Sequence, residues 1–227
     1  MNASIPRPVS EFLASLRARM RHVEPHTLLP AEPASLLREV GPDDDVVTRF
    51  LDSAAAVGCR VYRSTDQDWL AAIRGIVRSQ AATKVIIEPQ AGTALTAERA
   101  AALHQALAAD GVATTEQRDD ETLFTADVAI TGVRSAIAET GTLVCASGPA
   151  SARGASLIPP VHIALVAQSQ LVADLFDAFP AEKVSGTFFA GAPANVSMIT
   201  GPSKTADIEG VLVTGVHGPG EVHVVLA

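Results

Sequence analysis

Residues 199–210 read ITGPSKTADIEG, with a glycine, a lysine and two hydroxyls placed together as in a phosphate cradle. A loop of the G-x-x-x-x-G-K-[ST] kind wraps successive backbone N–H groups around its anion. Here the second glycine is missing, and Pro202 removes one of the donors. Asp207 and Glu209 then put negative charge where the anion would sit, so the dipole of any following helix meets the protein's own carboxylates. The stretch is not a phosphate loop. Two readings stay open: a helix start capped by Ser203 or Thr205, or a polar cluster of Ser203, Thr205, Asp207 and Glu209 that orients a small polar ligand or a hydrated cation.

Three other polar positions stand in apolar, turn-rich contexts. Glu139 lies in AIAETGTLVC, where a carboxylate must find hydrogen bonds, a cation or a proton. Thr140 and Gly141, with Thr142, offer hydroxyls and backbone N–H groups for an acid-holding turn. Glu139 is therefore either a structural acid or a general base or nucleophile. Arg153, in SARGASLIPP, either pairs with a nearby acid or clamps a substrate carboxylate in bidentate fashion. His217 and His223 bracket the last turn in VHGPGEVH, and His217 sits at a strand end where loops gather side chains for chemistry. No compact His/Cys pattern supplies a zinc ligand set, so no metal site is expected.

The elements that must position these residues alternate. EFLASLRARM places Phe12, Leu13, Leu16 and Met20 on one helical stripe, with Arg17, Arg19 and Arg21 on its solvated face. Prolines 25, 30, 33 and 42 mark an irregular connection with one short turn at 34–39, so residues 1–42 read as an arm packed on the body and 43–227 as the body. A helix follows from Asp43–Asp45 to Gly58. Strands are then expected at 59–63, 84–88, 112–116, 126–130, 142–147 and 162–167, and helices at 66–80, 96–109 and 168–179. GVLVTGV and EVHVVLA read as two neighbouring strands around the turn HGPG. This rhythm predicts an α/β fold, a mostly parallel sheet flanked by helices.

The totals bound the function. The 227 residues are 48% hydrophobic and 19% charged, enough for a full core. A net charge of −8 argues against nucleic acid as the main partner. No apolar run approaches the ~18 residues that cross a bilayer, and the N-terminus lacks the apolar stretch of a secretory signal. Only Cys59 and Cys145 are present, two thiols where a typical iron–sulfur cluster takes four.

Together these stretches resemble the LUD-domain family. The resemblance rests on IAETGTLV (137–144), R-x-x-S-L-I-P (153–159), HIALV (162–166), ITGPSKTADIE (199–209) and GVHGP (215–219), in that order, with FLASLR (12–17) similar to the family's opening helix. Lys204, Cys145 and Ile158 depart from the usual arginine, leucine and leucine. The resemblance implies a fold similar to the sugar-phosphate isomerase, coenzyme A transferase and formyltetrahydrofolate cyclo-ligase group. It also implies a cytoplasmic component of a system that oxidises L-lactate to pyruvate for growth. This chain would carry no cofactor, and two partner proteins would hold the iron–sulfur clusters. In that setting Glu139 and His217 are the expected proton-handling residues, and Arg153 grips the small carboxylate. Thr140, Gly141, Ser203, Thr205, Asp207 and Glu209 would shape the pocket. An independent acyl- or nucleotide-dependent transferase or ligase, with Glu139 as acyl acceptor, and a non-catalytic scaffold are the alternatives.

Overall fold

A computed structural model describes residues 9–19, 38–41, 43–148, 152–179, 193–206 and 211–227. The chain divides into two compact units, Met1–Leu37 and Arg38–Ala227. The described part of the first is one helix, α1 (Val9–Arg19), which carries the expected Phe12, Leu13 and Leu16 stripe; Met20 and Arg21 lie outside the described residues. The boundary falls before residue 38 rather than after 42 because this stretch is tied into the second unit. Val40 is buried there, and the Arg38 guanidinium reaches Asp174 at 3.3 Å and Asp177 at 2.9 Å.

The second unit is built on a six-stranded sheet in the order β1 (Arg60–Arg63), β12 (Glu221–Leu226), β7 (Val161–Val166), β4 (Val128–Gly132), β2 (Lys84–Glu88), β3 (Ala113–Thr115). Every pairing in it is parallel. The near-continuous apolar runs follow from burial on both faces. On one face Val85, Ile87, Val128, Ile130, Ile163 and Leu165 pack under α3 (Trp69–Ser79) and α4 (Ala97–Ala109). On the other, Ile86 and Ala129 meet α5 (Asp120–Thr125) and α6 (Gly154–Leu157), while Ala164, Val222 and Val224 meet α2 (Val46–Ala56) and a second sheet. The helix starts follow the caps in the sequence: Asp45, Thr96 and Asp119 each accept from backbone N–H groups of the first turn.

The second sheet has the order β8 (Leu171–Val172), β5 (Ser135–Ile137), β6 (Thr142–Ser147), β9 (Asn195–Ile199). β6 runs antiparallel to both β5 and β9, while β8 runs parallel to β5. Three expectations are corrected. The helix expected at 168–179 is a 3-10 turn at 168–170, then β8, then the four-residue α7 (Leu175–Ala178); the Asp174 side chain caps a new start at the Asp177 N–H. Lys204–Thr205 form a short strand, β10, so neither Ser203 nor Thr205 opens a helix there. β10 pairs with β11 (Val213–Thr214), and β12 lies between β1 and β7, so the last two apolar runs are not neighbours. No helix among the described residues is long and apolar enough to cross a membrane.

Candidate functional site

Chain order locates a crevice. From β2 the chain passes through α4 to the edge strand β3, then returns through α5 to β4 on the other side of β2. α4 covers one face and α5 the other. The connections therefore diverge between β2 and β4, and in open α/β sheets a ligand crevice lies outside the carboxyl ends of such a strand pair. Glu88 is the last residue of β2, and Thr131 and Gly132 end β4; Glu88 and Thr131 are register partners.

A cleft lies there, lined by Glu88, Gln90, Thr131, Cys145, Ser147 and Arg153 among others, with about 300 Å³ of non-atom space including its mouth. Its recess has room for about one water or one ligand oxygen. Gln90 closes one side by donating from Nε2 to the Ala146 carbonyl at 3.0 Å, joining the end of β2 to the second sheet. A Cβ on Gly132 would stand 2.1 Å from Thr93 Oγ1, so Thr93 can close over the end of β4 only because that residue is glycine.

Glu88 is 3% exposed. Its Oε1 accepts the Ala152 N–H at 2.7 Å and lies 3.2 Å from Arg118 Nε. Burial pushes this carboxyl above the ordinary glutamate range, and the Ala152 N–H and the Arg118 charge offset only part of that. Oε2 carries no hydrogen bond among the described residues. Burial, with Glu88 nearby, pushes the Cys145 thiol up to about 12, so it faces the cleft as a neutral group and not as a nucleophilic thiolate. Arg153 stands at the start of α6, exposed and without an ion pair among the described residues. Glu88 and Arg153 thus line one recess, and a carboxyl beside an arginine with no ion pair among the described residues suits a small carboxylate with a transferable proton.

The other expected site residues lie elsewhere. None of Glu139, Thr140, Gly141, Ser203, Thr205 and His217 lines this cleft. Glu139 is half-buried in the turn after β5, and its carbonyl accepts from Ser53 Oγ at 3.3 Å. Thr140 and Thr142 hydroxyls lie 2.6 Å apart, and Thr142 and Thr200 hydroxyls 2.7 Å apart. A Cβ on Gly141 would come within 2.3 Å of the Ala54 N, and one on Gly201 within 2.4 Å of the Val57 carbonyl oxygen. Lys204 Nζ donates to that same Val57 oxygen at 2.9 Å, a cation at the carbonyl end of α2. These two motifs form a saddle for the end of α2. Ser203 donates its N–H to Pro219 and accepts from Gly215, tying the exposed His217 loop to β10. Asp207 and Glu209 lie outside the described residues.

Sequence reasoning missed Glu88, Gln90, Thr131 and His162. The signal for Glu88 was a lone acid ending the apolar strand KVIIE. Among the described residues no group of three or more His, Cys, Asp or Glu is placed to hold a metal.

The family model for the LUD domain matches residues 47–227. The chain belongs to the LUD domain family. Similar proteins include an uncharacterized protein of Neisseria meningitidis, 43% identical over 101 residues, which cover 44% of this chain and 42% of that protein. Lactate utilization protein C of Halalkalibacterium halodurans is 38% identical over 94 residues, 41% of each chain. Its Bacillus subtilis namesake is 39% identical over 94 residues, 41% of this chain and 39% of the relative. The matched stretch thus spans less than half the length of these relatives. The crystal structure of a DUF162 family protein from Deinococcus radiodurans superposes with a TM-score of 0.53 at 24% identity, covering 80% of this chain and 95% of that one; it speaks to the LUD fold alone.

Proposed function

We propose that this LUD-domain protein is a component of an iron–sulfur system that oxidises L-lactate to pyruvate, itself without a cluster, and that it holds the substrate in the cleft between β2 and β4. One observation carries the placement: a buried carboxyl residue, Glu88, and an arginine without an ion pair among the described residues, Arg153, line the same strand-end recess. The relatives named lactate utilization protein C support the substrate, and two cysteines in the sequence favour clusters in partners over one here.

In this reading Arg153 grips the carboxylate and Glu88 accepts the proton of the C2 hydroxyl. Lactate loses two protons and two electrons in all: the hydroxyl proton goes to Glu88, the C2–H bond breaks with its proton passing to solvent, and the two electrons go to the iron–sulfur partners. Co-purification with those partners followed by lactate-dependent dye reduction tests the assignment. Turnover should require this chain, and Arg153→Ala should raise KM for lactate at least about tenfold, as expected for loss of a charge-assisted contact. Full turnover without the chain refutes the reading. In the same assay, loss of activity in Glu139→Gln or His217→Ala with Glu88→Gln unaffected would move the proton-handling role to that pair.

A further inference from the structure

The histidine of the HIALV motif, His162, lies on β7 and is wholly buried where β7 meets β4, on the face shared with Ala129 and Thr131 of β4. Its Nε2 is 2.9 Å from Thr131 Oγ1, and its Nδ1 has no partner among the described residues. Burial holds the ring far below the ordinary imidazole range, at about 4, so at neutral pH it carries one N–H.

The position of that hydrogen follows from what each tautomer leaves unbonded. With the hydrogen on Nδ1, a buried donor has no acceptor. With it on Nε2, the orphan is a lone pair, the cheaper loss. Nε2–H therefore donates to Thr131 Oγ1. Having accepted, that hydroxyl has its own proton left to donate, and Thr131 lines the cleft as the register partner of Glu88.

We propose that Thr131, with its hydroxyl turned toward the cleft by His162, is the donor that stabilises the substrate's C2 oxygen as that oxygen loses its proton. The inference rests on the lactate reading above. The substrate O–H bond breaks with its electron pair left on oxygen, the proton forms an O–H bond on Glu88, and Thr131 donates to the resulting alkoxide. His162 touches no substrate and is a positioning residue. A donor aimed at charge that develops during reaction raises kcat and leaves KM nearly alone.

Two readouts test this. Side-chain ¹⁵N shifts of the isolated chain should place the His162 hydrogen on Nε2. In the assembled complex, Thr131→Val, which keeps the shape, should lower kcat about a hundredfold with KM little changed. Thr131→Ser should restore most of the turnover. A hydrogen on Nδ1, or Thr131→Val turnover within about threefold of wild type, overturns the proposal while lactate oxidation by the wild-type complex stands. A wild-type complex that oxidises no lactate defeats the underlying reading and the proposal with it.

Discussion

His162 and Glu88 leave opposite marks on stability. The folded-state value for His162 is about 4, below its ordinary 6.5, so the unfolded chain takes up the proton first as pH falls. Stability tied to neutral His162 is present above pH 6.5 and drains away down to pH 4. His223, also lowered chiefly by burial, acts in the same direction. Glu88 is raised, so its contribution is greatest below the unfolded value and is lost as pH rises through the folded one. Denaturant titrations between pH 6.5 and 4 should show His162→Asn flattening the slope by up to about 1.4 kcal/mol per pH unit; a slope identical to wild type would mean the ring is protonated in the fold. At this scale one expected site residue, Arg153, lines the cleft, a loop arginine among small residues. Glu88 and His162 are not legible as site residues, because a lone polar group in an apolar strand reads as part of the strand until its neighbours across the sheet are known.

At the level of elements, the ETGT and TGPSK turns make room for α2. Gly141 has φ +65°, and any Cβ there would overlap the Ala54 backbone. Gly141→Ala should cost more than about 2 kcal/mol, since left-handed geometry alone costs an L-residue roughly 1–2 kcal/mol and the clash adds to it. Gly201→Ala, at φ +77° against the Val57 carbonyl, should behave alike. Chemical denaturation checks both, and wild-type midpoints would show that α2 does not seat on these turns. The helix expected at 168–179 does not form although the apolar spacing is helical: the Gln170 side chain ties that stretch back to the Ala167 N–H and the Val133 carbonyl, and Asp174 starts a separate turn. Side-chain hydrogen bonds decided a segment that periodicity alone left open.

For the whole molecule, the α/β class and the parallel strands were readable from buried apolar runs alternating with helices. Strand order was not, because hydropathy says that a strand is covered on both faces and not which strands flank it. β6, read as one more such run, belongs to the second sheet, and this is how Cys145 and Ser147 come to line a cleft with Glu88. The function proposed for this LUD-domain protein depends on that topology, because the divergence of the chain on either side of β2 sets Glu88 and Thr131 at the mouth of a crevice. The most direct test is turnover of the partner-bound complex carrying Glu88→Gln, with thermal melting measured on the same protein. Gln keeps an acceptor for the Ala152 N–H and removes a buried charge, so the account predicts a loss of at least about a hundredfold in kcat with Tm unchanged or higher. Wild-type turnover in that variant would contradict it.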